Sequence, residues 1–454
     1  MSKIIKLRKG FDIKMKGKPA PTVVDIGIPE TVSLKPSDFN GLYIPKVVVN
    51  VGDTVQAGSV LFHDKKFEQI KFTSPVSGEV VEVLRGDKRK LLAVTVLADK
   101  KIEYKSFEKF HSSEIHKLSK EFIQQQLLES GAWVNIVQRP FGIIADPDTS
   151  PKSIFISAFD TSPLAPDYSL IYFGNDQYFH SGIDILTKLT NCPIHVNTHA
   201  SSQVSPMFSQ VKNARVNRFS GKHPSGCVGV QIHHIDPINK GDVVWTISPF
   251  GVIQIGKLFL TGQLDHSKIV ALTGSQVINP QYYSTITGGS IKKLISENIK
   301  NKNSRFISGN PLTGTNISDN GHLNFFDNQI TVLPEGNQHE FLGWMKPTLS
   351  KLSIHRAIGL LSFLAPNKEF VLNTNMNGEP RAFVLSGVFE NLVPMDILPT
   401  HLLKSALSED IDELEELGIY EVIEEDLALC EFADVSKHNV QKILREALDL
   451  VRTS

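Results

Sequence analysis

Short apolar segments between residues 45 and 84 are broken at close intervals by small turn residues, and this pattern constrains the fold more than any other feature. Gly52 and Gly58 permit tight turns between short strands, and Pro75 fixes the backbone where a later strand begins. Strand-like sequence resumes over residues 91–97, after a polar turn. The pattern predicts a compact unit of short antiparallel strands.

The same segment resembles the half-barrel of biotinyl and lipoyl carrier domains, through its V-G-D-x-V and S-P-V-S-G sequences. A carrier of that kind places one modifiable lysine at the tip of a hairpin. Counting back from Pro75, the corresponding position is Phe67, and Lys65 and Lys66 are displaced from it by one or two residues. The resemblance therefore implies the scaffold without its attachment lysine. An ordinary β-sandwich fragment is the alternative.

Length and charge exclude several classes of protein. A chain of 454 residues is too long for one core and predicts roughly three or four domains. The net charge of −1 gives no indication of a nucleic-acid partner. The two longest uncharged stretches, 189–211 and 269–291, are rich in polar residues, glycine and proline, so we expect no transmembrane helix. The basic N-terminus is not followed by the apolar run of a secretory signal.

Cys192, Cys227 and Cys430 are the only cysteines in the sequence. Three scattered thiols cannot form a disulfide framework, which indicates a reducing compartment. They also cannot supply the four thiolates of an iron–sulfur cluster, and no C-x-x-C pair is present for zinc. We therefore expect no redox cofactor and no metal in this chain.

The pattern along the chain predicts an α+β multidomain fold with four regions. Residues 1–105 form the lipoyl-like β half-barrel, and residues 106–255 a Rossmann-like α/β domain with a mainly parallel sheet. Residues 256–330 form a β-grasp-like domain, and residues 331–454 hold short strands followed by C-terminal helices.

Within these regions, individual elements follow from apolar periodicity and turn residues. The predicted helices begin at Ser112 or Ser113 and end at Gly131, or cover 179–189, 291–299, 398–417 and 436–452. The predicted strands cover 153–157, 169–173, 193–196, 228–233, 268–273, 283–287, 305–308, 328–333 and 339–344.

Charge is distributed unevenly between the two ends of the chain. Residues 1–18 contain seven Lys or Arg against one Asp, whereas residues 409–434 contain twelve Asp or Glu and no Lys or Arg. Such runs are usually solvated faces, and docking onto partner subunits is the alternative.

Several segments together resemble the A subunit of the bacterial sodium-translocating NADH:quinone reductase. They are the half-barrel, E-S-G-A-W with R-P-F, G-K-H-P-S-G, I-G-K-L-F-L-T-G, F-L-G-W, and E-E-D-L-A-L-C with L-R-E-A-L-D. They occur in the expected order over nearly the whole chain. Family members and their cluster-bearing relatives often carry C-x-x-x-C-P after the E-E-D-L-A-L run, but here the second cysteine position is Asp434. Cys430 is then most simply a small buried apolar residue.

The resemblance implies a peripheral subunit on the cytoplasmic face of the bacterial inner membrane, within a six-subunit enzyme that drives sodium outward. Membrane and flavin-bearing partner subunits would carry FMN, FAD, riboflavin and iron–sulfur centres. Quinone would be the substrate, and this chain would carry no redox cofactor of its own and would not be catalytic alone.

A quinone site needs an apolar or aromatic wall and one or two donors for the quinone oxygens. Trp133, Arg139 and Phe141 offer these, since Arg139 could donate a charge-assisted bond to a carbonyl or semiquinone oxygen. The alternative is an interdomain packing loop whose arginine pairs with an acidic neighbour. Leu42 and Tyr43 are a second, weaker candidate.

Three further patterns have simpler structural explanations. The loop from Gly221 to Gly229 lacks the sequence of a phosphate loop, and we interpret it as a structural turn. Gly288-Gly289-Ser290 is explained by the N-cap of a helix. His195 and His199 lie among residues that disfavour a helix, so their spacing does not indicate a metal site.

Two other functions use the same half-barrel. A carrier protein would need a lysine at position 67, and a lipoyl or biotinyl adduct on Lys65 or Lys66 would favour that function. An efflux-pump adaptor would need a long helical hairpin between the half-barrel repeats, but only about a dozen residues separate Leu61 from Thr73. The family resemblance therefore gives the leading hypothesis.

Overall fold

A computed structural model describes residues 4–200, 204–338, 341, 351–352, 354 and 367–454. The strands described are β1 (Ile4–Lys6), β2 (Val23–Asp25), β3 (Thr31–Leu34), β4 (Pro45–Val47), β5 (Thr54–Val55), β6 (Val60–Asp64), β7 (Lys71–Thr73), β8 (Gly78–Arg85), β9 (Leu91–Ala98), β10 (Val137–Arg139), β11 (Ile143–Ile144), β12 (Ser153–Ser157), β13 (Ile194–His199), β14 (Arg215–Ser220), β15 (Val244–Thr246), β16 (Ser267–Thr273), β17 (Gln281–Ile286), β18 (Ser304–Ser308), β19 (Thr315–Ile317) and β20 (Gln329–Pro334).

The helices described are α1 (Lys120–Ser130), α2 (Tyr168–Ile171), α3 (Asp176–Leu189), α4 (Pro206–Ser209), α5 (Val228–Ile235), α6 (Pro249–Thr261), α7 (Lys292–Ile295), α8 (Phe389–Leu392), α9 (Pro399–Ser408), α10 (Ile411–Glu416), α11 (Glu424–Ala433) and α12 (Val440–Thr453). Among the described residues, no helix combines the length and the apolar character that crossing a bilayer requires.

The half-barrel consists of two small sheets, in the orders β3-β9-β8-β5 and β4-β6-β7. Phe62 and Phe72 stack between them with ring centroids 4.7 Å apart, and Phe39 meets Phe72 edge-on at 4.7 Å. Gly52 and Gly58 have positive φ, as the predicted tight turns require. The predicted unit of short antiparallel strands is confirmed.

A seven-stranded sheet forms the centre of the molecule, in the order β1-β14-β13-β12-β15-β10-β11. The first five strands in this order are parallel, and β10 and β11 are antiparallel to their neighbours. Ile154 and Ile156 of β12 join the main core, whereas Phe155 packs with Ile232 on the other face. The sheet is therefore covered by helices on both faces, as the mainly parallel prediction requires.

A six-stranded mixed sheet follows, in the order β19-β18-β20-β16-β17-β2. One of its contacts with the half-barrel is a backbone pairing: Ser33 N–H donates to Gly288 O and Ser290 N–H to Thr31 O, both at 2.9 Å. The Gly288-Gly289-Ser290 segment thus continues the β3 edge before α7 begins.

Helices α8 to α12 form a second core with Ile13 and Met15 of the N-terminal segment. One stripe of α12 is apolar, and Val440, Leu444 and Leu448 are fully buried there. The predicted C-terminal helices are confirmed, although 398–417 is divided into α9 and α10 at Glu409, which has positive φ.

Two predicted strands are helices in the structure. Residues 169–173 lie largely in α2, where the Asp167 carboxylate accepts the Ser169 N–H. Residues 228–233 belong to α5, which connects the parallel strands β14 and β15. A parallel connection has to cross from one end of the sheet to the other, and a helix makes this crossing without unpaired backbone groups. A short apolar run does not show this by itself.

Other element boundaries shift. The helix predicted from Ser112 or Ser113 is divided: Ser112–Lys117 form a 3-10 helix, and α1 begins at Lys120 with the Ser119 hydroxyl as its cap. Gly131 ends α1 in the predicted left-handed conformation. The helix predicted over 291–299 covers Lys292–Ile295 only. The strand predicted over 339–344 falls outside the described residues except for Phe341.

The sheets do not follow the predicted domain limits everywhere. Strand β1 pairs with β14 of the central sheet, and β2 pairs with β17 of the mixed sheet, so two segments of residues 1–105 lie outside the half-barrel. The predicted limit at 255 falls inside α6. Two-or-three-residue apolar segments such as Ile4-Ile5 fit any exposed sheet edge, so their sequence does not select one.

Helices α3 and α6 approach each other through two glycines. A Cβ at Gly256 would lie 1.8 Å from Tyr178 O, and a Cβ at Gly182 would lie 2.2 Å from Val252 O. The absence of side chains lets the two backbones make direct contact, which fixes α6 against the sheet.

We expect Gly256→Ala to destabilise the central domain by about 1–3 kcal/mol, because the new methyl group overlaps a backbone carbonyl. In an unobstructed helix the same change stabilises by about 1 kcal/mol, so the sign of the effect is diagnostic. Urea titration followed by the fluorescence of the buried Trp133 and Trp245 measures it. Lys188→Ala on the exposed face of α3 is the control, and equal transitions for both variants would contradict the packing described.

Candidate functional site

A cleft of about 300 Å³ lies at the carboxyl ends of β12 and β15. From β12 the chain moves to β13 and β14 on one side, and it then returns through α5 to β15 on the other side of β12. In open parallel sheets this reversal leaves a crevice between the two adjacent strand ends, which is where ligands bind. The cleft is therefore the candidate functional site.

Several parts of the chain that are distant in sequence form the walls of the cleft. Phe159 and Tyr168 follow β12, Phe326 lies between β19 and β20, and Ile423 and Glu425 lie at the start of α11. The polar lining includes Asn135, Arg139, Ser157, Asp160, Ser162, His223, Thr246, Ser248, Asn310, Thr313 and Glu425. Aromatic walls with a few polar groups suit a flat ring that carries polar substituents.

Arg139 anchors one side of the cleft through a buried ion-pair cluster. Its Nη1 lies 3.0 Å from Asp426 Oδ2, and its Nη2 lies 2.7 Å from Glu425 Oε1. The Arg139 and Asp426 side chains are 2% and 0% exposed, whereas that of Glu425 is 39% exposed. Burial opposes the charged guanidinium, but the two carboxylates outweigh burial and raise the pKa of Arg139.

The backbone around this cluster is held from two directions. Arg445 pairs with Glu424, and its Nη1 also donates to Phe141 O at 2.7 Å. On the other side, a Cβ at Gly229 of α5 would lie 2.3 Å from Asp426 Oδ2, so only glycine lets α5 pack this closely on the carboxylate. The start of α11 is thus fixed against both β10 and α5.

Glu425 can hold a proton near neutral pH. Although the Glu425 side chain is 39% exposed, the surrounding protein removes much of the water around its carboxylate. This desolvation, followed by the negative charges of Asp426, Asp160 and Glu424, raises the pKa of Glu425 from 4.5 to about 7, although Arg139 acts in the opposite direction. One guanidinium faces two carboxylates, so one of the two is protonated more readily than an isolated glutamate.

Because the folded-state pKa of Glu425 lies above its ordinary value, the folded chain binds the proton more tightly than the unfolded chain does. The contribution to the free energy of unfolding is therefore full below about pH 4.5 and is lost as the pH rises through about 7. We expect the urea midpoint of the wild type to fall more between about pH 5 and about pH 8 than that of Glu425→Gln, which cannot titrate. An equal or larger fall in the variant would contradict this arrangement.

The loop from Gly221 to Gly229 forms another wall of the cleft. His223, Gly226, Cys227 and Val228 line it, and the Gly226 N–H donates to Thr161 Oγ1 at 2.9 Å. The interpretation of this loop as a turn is correct for its backbone, but its position beside the cleft was not predicted.

Of the five residues predicted to contact quinone, Arg139 lines the cleft. Trp133 is 1% exposed, and its indole N–H donates to Ala145 O at 2.8 Å. Phe141 packs against the C-terminal core, 6.2 Å from the Tyr420 ring. Arg139 pairs with the acidic residues Glu425 and Asp426, as the packing alternative expects, and it also lines the cleft, so its contact with quinone stays a prediction.

Leu42 and Tyr43 lie apart from this group, beside the hairpin tip of the half-barrel. Leu42 packs against the main core, whereas Tyr43 is 68% exposed. The buried Asp64 carboxylate ties them to the tip, since it accepts the N–H groups of Tyr43 at 2.9 Å and Lys66 at 2.8 Å.

The side chains that commonly bind metals are dispersed through the fold. Across the ranges that the structure covers, no three His, Cys, Asp or Glu side chains are grouped as a metal ion would require. His195 and His199 lie on β13, and the ring of His195 stacks on Phe155 at 4.7 Å. Cys430 is fully buried in the C-terminal core, and burial raises the pKa of its thiol, which confirms its interpretation as a small core residue.

Sequence reasoning missed Asp160, His223 and Glu425 as lining residues of the cleft. Glu425 belongs to the acidic run of residues 409–434, for which the sequence predicts a solvated face or a docking surface. A glutamate next to an aspartate at a helix start was the available signal, but the arginine that it faces lies 286 residues away in sequence.

Comparison with known proteins assigns the family. Residues 5–99 match the NqrA N-terminal barrel-sandwich hybrid domain, residues 118–264 the NqrA second alpha/beta domain, and residues 269–319 the NQRA C-terminal domain. A relative from Yersinia pestis bv. Antiqua, named as the A subunit of Na(+)-translocating NADH-quinone reductase, is 38% identical over 446 residues, covering 98% of each chain. The chain belongs to this family.

Other relatives with the same name show the same full-length similarity. The protein from Alcanivorax borkumensis is 37% identical over 450 residues, and the one from Neisseria meningitidis serogroup B is 36% identical over 450 residues, each covering 99% of both chains. The resemblance inferred from the ordered sequence motifs is therefore confirmed. By their names, these relatives of the NqrA family are subunits of an oxidoreductase that translocates sodium.

Solved structures give a much weaker likeness. A NAD+-reducing [NiFe]-hydrogenase in the air-oxidized state aligns with 78% of this chain and 67% of its own, at 9% identity and a TM-score of 0.37. A TM-score this low does not establish a shared fold, and the NqrA assignment depends on the sequence relatives.

Proposed function

We propose that this chain is the peripheral, cytoplasmic-face subunit of a six-subunit Na(+)-translocating NADH:quinone reductase, and that it supports quinone reduction coupled to sodium export. The full-length similarity to NqrA relatives supports this proposal. Membrane and flavin-bearing partner subunits would supply FMN, FAD, riboflavin and iron–sulfur centres, and this chain would add binding and docking surfaces.

The position of Arg139 in the cleft at the carboxyl ends of β12 and β15 is the observation that supports the quinone part of this proposal. Phe159, Tyr168 and Phe326 provide aromatic walls for a quinone ring. The charge of Arg139 is balanced by Asp426, so its remaining N–H capacity can serve a carbonyl oxygen without adding a net charge to the cleft.

The other predicted quinone contacts take different roles in this proposal. Trp133 and Phe141 flank the segment that carries Arg139, and they would hold it in position. Leu42 and the exposed Tyr43 would meet quinone or a membrane-embedded partner at a separate surface. We also propose that the central sheet belongs to a Rossmann-like domain and the mixed sheet to a β-grasp-like domain.

A carrier function remains the second candidate because Lys65 and Lys66 lie at the hairpin tip between β6 and β7. The amide of Lys66 is held by Asp64, and Phe67, at the carrier position, packs against the main core. An intact mass that includes a lipoyl or biotinyl group would favour this function, whereas an unmodified mass favours the reductase role.

Quinone binding in the cleft is testable with two exposed phenylalanines. Phe326 lines the cleft and is 38% exposed, whereas Phe173 is 86% exposed and is not a lining residue. We expect Phe326→Ala to weaken binding of a one-isoprene ubiquinone to the purified chain roughly 5- to 30-fold, because the ring loses one apolar wall. Phe173→Ala should bind like the wild type.

Isothermal titration calorimetry of the three proteins provides the comparison. Equal affinity of Phe326→Ala and the wild type for quinone would contradict binding of quinone in the cleft. If the wild type bound no quinone, the proposal that the isolated chain has a quinone site would be wrong.

A further inference from the structure

Phe326, which lines the cleft, lies on the connection between β19 and β20, and its backbone is in neither a helix nor a strand. A side chain on such a segment takes its position from the contacts that the segment makes with its surroundings. The neighbouring Phe325 is buried, whereas Phe326 is 38% exposed. The contacts of residues 322–327 therefore decide where this aromatic wall of the cleft lies.

The half-barrel supplies polar contacts to this segment. The Asp38 carboxylate accepts the Phe325 N–H at 2.9 Å, although the two residues are 287 positions apart in sequence. Lys35 Nζ donates to Asn324 Oδ1 at 2.8 Å and to His322 O at 2.9 Å. Two side chains of the half-barrel therefore hold the segment immediately before the cleft wall.

Aromatic packing joins the same two regions. The ring centroid of Phe39 lies 4.9 Å from that of Phe325 and 5.8 Å from that of Phe326. The Phe39 ring also meets Phe72 of the half-barrel core at 4.7 Å. Edge-to-face ring pairs favour particular orientations, so these contacts restrict the direction of the Phe326 ring. Phe39 thus connects the core of the half-barrel directly to the wall of the cleft.

The Asp38 carboxylate is ionised above about pH 6. Burial and the negative charge of Asp327 raise the pKa of Asp38 to about 6, while Lys35 and the Phe325 N–H act in the opposite direction. An ionised carboxylate accepts a stronger hydrogen bond from a backbone N–H than a neutral acceptor does. The bond to Phe325 is therefore at full strength at pH 8.

We propose that the half-barrel positions the aromatic wall of the cleft, with Asp38 as the positioning residue and Phe39 as its aromatic support. Neither residue is among those that line the cleft, so both act on a bound ring through Phe326. This inference rests on the proposed function and deepens it, because it names the residues outside the cleft that regulate the affinity of the same site. It also gives the half-barrel a function that needs no attachment lysine.

The test is calorimetry of one-isoprene ubiquinone binding to the full chain at pH 8. Asp38→Ala leaves the Phe325 N–H without its acceptor and displaces the wall, so we expect about three- to tenfold weaker binding. Asp38→Asn keeps an oxygen acceptor and should bind within about twofold of the wild type. In the Phe326→Ala background, Asp38→Ala should cause no further loss, because the ring that it positions is absent.

Asp53→Ala is the matched control. The Asp53 carboxylate also accepts a backbone N–H within the half-barrel, that of Asn50 at 2.7 Å, and it is not a lining residue of the cleft, so this variant should bind like the wild type. Thermal midpoints show which variants keep the fold. If Asp38→Ala does not fold, Phe39→Leu replaces it in both backgrounds, because it removes the ring contact with Phe326 and keeps an apolar side chain.

Wild-type affinity in the folded variant, or an equal loss in Asp53→Ala, would overturn the proposal. So would the same loss from Asp38→Ala with and without the Phe326 ring, because a general effect on the fold does not require that ring. Equal losses in Asp38→Asn and Asp38→Ala would also overturn it, since the acceptor oxygen would then not matter. Binding that depends on Phe326 but not on Asp38 contradicts this inference alone, whereas no binding by the wild type contradicts the quinone site together with it.

Discussion

The buried pair of Arg139 and Asp426 is the interaction on which the arrangement of this chain most depends. It joins β10 of the central sheet to the first turn of α11, so it connects regions that are distant in sequence. Both side chains are almost completely removed from water. A buried ion pair adds little net stability over an apolar pair, but loss of one partner leaves an uncompensated charge and costs about 3–5 kcal/mol. The pair therefore specifies which surfaces meet.

The cleft exists because of this connection. Without α11 against β10, the carboxyl ends of β12 and β15 would lack the wall that carries Ile423 and Glu425. Gly229 permits the close approach of α5 to Asp426, while Gly182 and Gly256 bring α3 and α6 together behind the sheet. Small residues at these contacts set the positions of the helices, and the helices in turn set the shape of the site.

Much of the architecture could be predicted from local sequence. The half-barrel followed from Gly52, Gly58 and Pro75, because turn residues act through their own backbone. The apolar runs at 169–173 and 228–233 are too short to show a helical or a strand periodicity, and they are helical because of their tertiary contacts. The placement of β1 and β2 in other sheets also depended on contacts far along the chain.

In the candidate site too, local sequence predicts some features, whereas others depend on contacts between distant parts of the chain. Arg139 was found because its neighbours Trp133 and Phe141 indicated a polar group in an apolar segment, and an acidic partner was expected. Which acidic residue it meets could not be predicted, since the twelve carboxylates of residues 409–434 are alike in sequence. His223 was attributed to a turn because sequence shows how a loop bends but not which cavity it borders.

The most direct test of the central claim is a double-mutant cycle on Arg139 and Asp426, with hydrogen exchange of the α11 amides as the measurement. Arg139→Met should lower the local opening free energy of α11 by about 3–5 kcal/mol, because it leaves the buried Asp426 without its partner, and Asp426→Leu should lower it by less, because Arg139 keeps its ion pair with Glu425. The double variant should lose at least about 2 kcal/mol less than the sum of the two. Additive losses, or unchanged α11 exchange in either single variant, would contradict a pair that holds the C-terminal helices to the sheet.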